Sequence, residues 1–122
     1  GVSIETVVTD LRDFEIEPGR WDAVISIFCH LPPQLRALVH RRAATGLRPG
    51  GLIAVESYTP RQLDYGTGGP PSRELLYGID VLLEDFAGLA VELAEEVERE
   101  VHEGKFHHGL SHVARFVARR PS

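Results

Sequence analysis

Apolar residues fall along this chain in two kinds of pattern. Trp21 to Phe28 carries Ala-Val-Ile-Ser-Ile-Phe almost without alternation, as expected of a strand buried on both faces in a parallel sheet. Leu52 to Tyr58 is a second run of this kind. Between them, Leu35, Leu38, Val39 and Ala43 recur at helical spacing and predict one apolar helix face. Pro32-Pro33 suits the first turn of that helix. Gly46 is expected as a left-handed cap at its end, followed by a tight connection over Leu47-Arg48-Pro49-Gly50-Gly51. Strand, helix and strand with short links make a right-handed βαβ unit and place the chain in the α/β class.

The flanks read differently. Val2 to Thr9 is rich in β-branched residues and ends at Asp10, which predicts a strand. Leu11 to Arg20 is polar, with a Pro18-Gly19 turn. Thr59 to Leu75 gathers Gly66, Gly68, Gly69, Pro70 and Pro71, which predicts a mobile, lid-like loop. Ser72 and Asp80 are candidate helix caps, the second for a helix from Val81 to Ala87 stopped by Gly88. Leu89 to His102 contains good helix formers, yet Leu89, Val91, Leu93, Val97 and Val101 alternate with mostly Glu. A period of two favours a half-exposed strand. Glu103-Gly104-Lys105 supplies a turn and Leu110 to Arg119 is again strand-like, so the end predicts an antiparallel hairpin.

Composition narrows the class. The 122 residues are 43% hydrophobic and 25% charged, which suits one globular domain. The net charge of −5 and the lack of a basic stripe argue against nucleic acid as a partner. No apolar run is long enough to span a bilayer. One cysteine, Cys29, leaves no intrachain disulfide, which fits a reducing cytoplasm.

The order of these pieces resembles the C-terminal half of class I, Rossmann-like methyltransferases that use S-adenosylmethionine. Three segments carry the likeness: V-V-T-D-L-R-D-F (Val7 to Phe14), W-D-A-V-I-S-I-F-C-H-L-P-P (Trp21 to Pro33) and G-L-R-P-G-G-L-I-A-V-E-S-Y (Gly46 to Tyr58). The closing hairpin is similar to that of small bacterial tellurite-resistance and thiopurine-methyltransferase-like proteins. The resemblance covers nearly all of the chain and implies a single, partial methyltransferase domain. The family's glycine-rich turn and its ribose-binding acidic residue lie on two strands absent here, between the Val2 to Thr9 strand and the Trp21 to Phe28 strand. Gly66 to Gly69 does not replace that turn, which should follow a strand and open a helix. The expectation is a truncated product, a proteolytic remnant, or a half that pairs with another chain, with a homodimer or strand swap filling the gap.

The resemblance also implies roles. Asp10 would accept the adenine amino group and the Leu11 N–H would reach a ring nitrogen. Ser26, Ile27 and Phe28 would line the methionine and sulfonium region. His30, at the pocket mouth, is the candidate catalytic or substrate-orienting residue. Tyr58, Tyr65, His107 and His108 are candidates for the pocket of a small-molecule acceptor. Two other classes remain: a non-enzymatic half-domain that only associates, and a metal site built on His102, His107, His108 and His112. The metal reading needs a helix to bring i and i+4 together, which a hairpin denies it. No metal is expected.

Overall fold

A computed structural model describes residues 1–102 and 108–122. The predicted turn at Glu103-Gly104-Lys105 and the candidate His107 lie outside them. The order of elements is β1 (Trp21–Ile27), α1 (Pro33–Gly46), β2 (Leu47–Tyr58), 3-10 turns at Pro60–Asp64 and Arg73–Leu75, α2 (Ile79–Asp85), β3 (Ala90–His102) and β4 (His108–Arg119). One four-stranded sheet runs β1-β2-β4-β3. β1 and β2 are parallel, and the α1 crossover makes the expected βαβ unit. The antiparallel hairpin is also present, and β4 pairs with both β3 and β2.

The helices cover one face of the sheet. Ile53 and Val55 of β2, and Ala114, Phe116 and Ala118 of β4, meet Ala43 of α1, Tyr77, and Leu82 and Phe86 at α2. A second cluster joins Tyr58, Leu76, Val101 and Val113. The rest of the opposite face is open, leaving a groove of about 250 Å³ lined by Ile25, Ile27, Ala54, Leu93 and Val117 among others.

Several local expectations are corrected. Val2 to Thr9 forms no strand: all eight residues are exposed and none pairs in the sheet. A β-branched run becomes a strand only against a neighbouring ladder. β1 is an edge strand rather than one buried on both faces, with Ile25 67% and Ile27 55% exposed; only its Val24 side packs on the core. Gly46 does not adopt the left-handed conformation. A Cβ there would overlap the Ile16 Cγ2, so any larger residue would have to displace that side chain. The Leu47 to Gly51 connection belongs to β2, where the register jumps from Trp21↔Leu47 to Ala23↔Leu52. Gly50 supplies the left-handed residue (φ +83°), and a Cβ on Gly51 would press on the Trp21 and Asp22 carbonyls.

The most buried face of α1 carries His40, Ala43 and Gly46, while Leu35, Leu38 and Val39 are half-buried. α2 and Tyr77 pack on the His40 face and select it. Asp80 lies inside α2, whose N-cap is Gly78. The first N–H of the helix, from Ile79, donates to the Glu96 carboxylate on β3 (3.0 Å). Ser72 stands at the N-cap of the second 3-10 turn without a side-chain capping bond.

Candidate functional site

Open α/β sheets bind ligands beyond the carboxyl ends of their parallel strands. Here those ends are Phe28 after β1 and Tyr58 at the end of β2. Phe28 is left-handed (φ +52°), the only non-glycine residue with positive φ among those described. Its N–H still donates to the Glu56 carbonyl (2.8 Å), so the chain leaves the sheet immediately after a last ladder bond. That turn lays the Phe28 ring flat on Tyr58, with centroids 4.4 Å apart and planes 9° apart.

His30 stands beside the pair, 5.7 Å from the Tyr58 ring and 5.4 Å from Tyr77. Its Nδ1 lies 2.7 Å from the Leu75 carbonyl, and its Nε2 accepts the Tyr58 N–H (3.1 Å). Both ring nitrogens therefore face backbone groups. Tyr77 donates its hydroxyl to the Cys29 carbonyl (3.2 Å), and burial pushes its phenol above the ordinary tyrosine range. Burial likewise raises the half-buried Cys29 thiol, which keeps it protonated and unreactive.

Other candidates lie elsewhere. Asp10 and Leu11 occupy an exposed turn where the Asp10 Oδ1 accepts the Arg12 N–H (2.8 Å) and the Asp10 carbonyl accepts the Asp13 N–H (2.9 Å). Ser26 pairs with Val55 in the β1–β2 ladder, and Ile27 lines the open groove. Tyr65 donates to Glu98 on β3 (2.7 Å). His108 opens β4, opposite His102. His108 and His112 share a strand, so no helical turn brings them together. Among the described residues, no three His, Cys, Asp or Glu side chains are grouped to hold a metal ion.

The predicted lid is a strap fastened to the hairpin. Gln62, 2% exposed, donates to the Thr67 hydroxyl and the Gly68 carbonyl and accepts the His112 N–H (2.9, 3.1 and 2.9 Å). The Thr59 hydroxyl meets His112 Nδ1 at 2.5 Å, and Thr67 donates to the Leu110 carbonyl (2.7 Å). Gly69 (φ +82°) passes so close to the Tyr58 ring that a Cβ would lie 3.1 Å from it. Tyr77, Thr59 and Gln62 were not legible as site residues, and His112 was singled out only for a metal, not as a partner of the strap. They belong to no periodic pattern and meet only through the fold.

No family model matches the sequence, and no curated protein matches it significantly. Solved structures do match. TehB from Haemophilus influenzae superposes with a TM-score of 0.75 at 16% identity, over 98% of this chain and 42% of that one. A SAM-dependent methyltransferase from Methanosarcina mazei gives 0.69 at 10% identity, over 94% and 66%. The [4+2]-cyclase SpnF gives 0.64 at 17% identity, over 94% and 56%. The chain has the class I methyltransferase fold. It spans about two-fifths to two-thirds of the length of these chains.

Proposed function

We propose that this chain forms the carboxyl-terminal part of a site for methyl transfer from S-adenosylmethionine to a small-molecule acceptor, in the cytoplasm. The observation that carries the reading is the Phe28–Tyr58–His30 cluster at the carboxyl ends of the parallel strands, built on a strained backbone. Strain of this kind is kept where the surrounding structure uses it. SpnF carries the same fold as a cyclase, so the site and not the fold must bear the argument.

The residues present fit the group. The half-buried Phe28 ring, backed by the fully buried Tyr58, suits a wall beside a sulfonium, and water kept away from the methyl cannot intercept it. Ser26, Ile27 and Phe28 supply the backbone of that wall. The Asp10 Oδ2, 3.7 Å from the Arg12 guanidinium on an exposed turn, would accept an adenine amino group, and Leu11 follows with its N–H. S-adenosylmethionine supplies the methyl when bound. The chain's part is to hold the acceptor in line, where proximity provides much of the rate without a dedicated base. Tyr65 is positioned on the strap, near His112.

A second reading is a half-domain that only associates. The bare edge of β1 favours it. Calorimetric titration of the folded chain with S-adenosylhomocysteine tests the first. Saturable binding that Asp10→Ala weakens about tenfold, the loss of one hydrogen bond to a charged group, supports it. No binding removes this chain alone as the cofactor-holding unit.

A further inference from the structure

We propose that Gln62 is a positioning residue for the aromatic wall: it holds the strap against the Tyr58 ring, on which Phe28 stacks. The role rests on the methyl-transfer reading for its functional meaning, while the contacts stand without it. The strap leaves the sheet at Tyr58 and comes back to that residue at Gly69. A Cβ on Gly69 would lie 3.1 and 3.3 Å from Tyr58 Cδ2 and Cγ, and 3.4 Å from Gln62 Cγ. The Gly69 backbone therefore lies against both the Gln62 stem and the Tyr58 ring. Phe28 stacks on the same ring at 4.4 Å.

The Gln62 amide can point only one way. A backbone N–H donates, so that of His112 meets Oε1 (2.9 Å); a carbonyl accepts, so that of Gly68 meets Nε2 (3.1 Å). The second Nε2 hydrogen goes to the Thr67 hydroxyl (2.9 Å), which gives its own proton to the Leu110 carbonyl (2.7 Å). The His112 bond ties the amide to β4 beside Val113, the ladder partner of Tyr58. The Thr67 and Gly68 bonds tie it to the strap just before Gly69. One buried side chain thus sets how close the strap stands to the end of β2.

Glutamate has the same shape, but an ionised carboxylate only accepts. At position 62 it keeps the His112 N–H and sets oxygen against oxygen at Gly68, where the amide donated. Thr67, its proton committed to Leu110, has no second one to offer. In a buried setting such a mismatch is not relieved by water. The strap retreats at Gly68 and Gly69, and the Tyr58 ring loses the backbone that lies against it.

Nuclear magnetic resonance of the whole chain reads the contact at Gly69. One of its α-protons points at the Tyr58 ring, so the pair should resonate apart, unlike that of Gly66, which has open space around it. In Gln62→Glu the separation should collapse, and the Tyr58 ring should flip about tenfold faster, the loss of about one hydrogen bond. Leu82→Val loosens the other core cluster and should leave the separation intact. S-adenosylhomocysteine should bind Gln62→Glu about tenfold more weakly than the wild type. Gly69 protons that stay apart in Gln62→Glu would overturn the proposal, as would their collapse in Leu82→Val, or an unchanged affinity beside a loosened ring. If the wild type binds no S-adenosylhomocysteine, the methyl-transfer reading falls alone, and the Gly69 signature still decides whether Gln62 holds the ring. If Gln62→Glu fails to fold, Thr67→Val at a half-exposed position removes the hydroxyl partner of Gln62 and should move the same protons.

Discussion

Phe28 shows how one residue departs from its local rules. A bulky side chain at φ +52° costs about 1–2 kcal/mol relative to ordinary backbone. In exchange the ring stacks on Tyr58. Alanine in its place keeps the strain and loses the stack, whereas glycine loses the stack and relieves the strain. Phe28→Gly should therefore be more stable than Phe28→Ala by about 1 kcal/mol, the reverse of the usual order in a strand. Urea unfolding midpoints of the two variants check this. The family resemblance marked Phe28, and His30 and Tyr58 became candidates because they stand after or at the ends of predicted strands. The sequence did not show that Phe28 turns back on Tyr58 or that His30 has backbone partners on both nitrogens. Those facts depend on where the strap lies, and no local pattern places it.

The contact between α1 and α2 rests on a buried polar group. His40 Nδ1 and Arg36 Nε both meet the Asp85 Oδ2, at 2.7 and 3.0 Å. The His40 ring packs on Phe86, 4.7 Å away. Burial lowers the His40 pKa below its ordinary value, outweighing the pull of Asp85. Across the interval below about 6.5 the unfolded chain then binds more protons than the folded one. Stability contributed here is complete above that pH and is lost as pH falls toward the folded value. The urea midpoint should fall on acidification, and His40→Gln, which keeps a donor for Asp85 without a titrating ring, should flatten the slope. At this scale the βαβ unit and the hairpin were legible, since each has its own period. The buried face of α1 was not. Its leucines suggested one stripe, and the ion pair with α2 selected another that mixes Arg36 and His40 with Ala43.

The whole molecule has a covered side and an open one. Ile25 and Ile27 stand on the open side and belong to β1, whose outer edge has no neighbour in the sheet among the described residues. Such an edge templates association with another chain. Ile25→Lys places a charge on the open face, away from the core. It should reduce self-association at high concentration, read by light scattering, with little change in the unfolding midpoint. The sequence predicted an exposed edge from the strands missing relative to the resembled family. It could not predict the strand order, because the alternation in β3 and β4 fits a hairpin joined to β2 by either arm.

That order bears on how the molecule comes into being. β4, third in space, follows the other strands in sequence, and it pairs Leu52 with Arg119 and Tyr58 with Val113, residues separated by about half of the chain. During synthesis β2 waits with one flank bare until β4 has emerged. The β3–β4 hairpin closes locally and fast, and its docking onto β2 is the slow, long-range step. A nascent chain paused before β4 would present two open flanks, and chaperones would have most to do there.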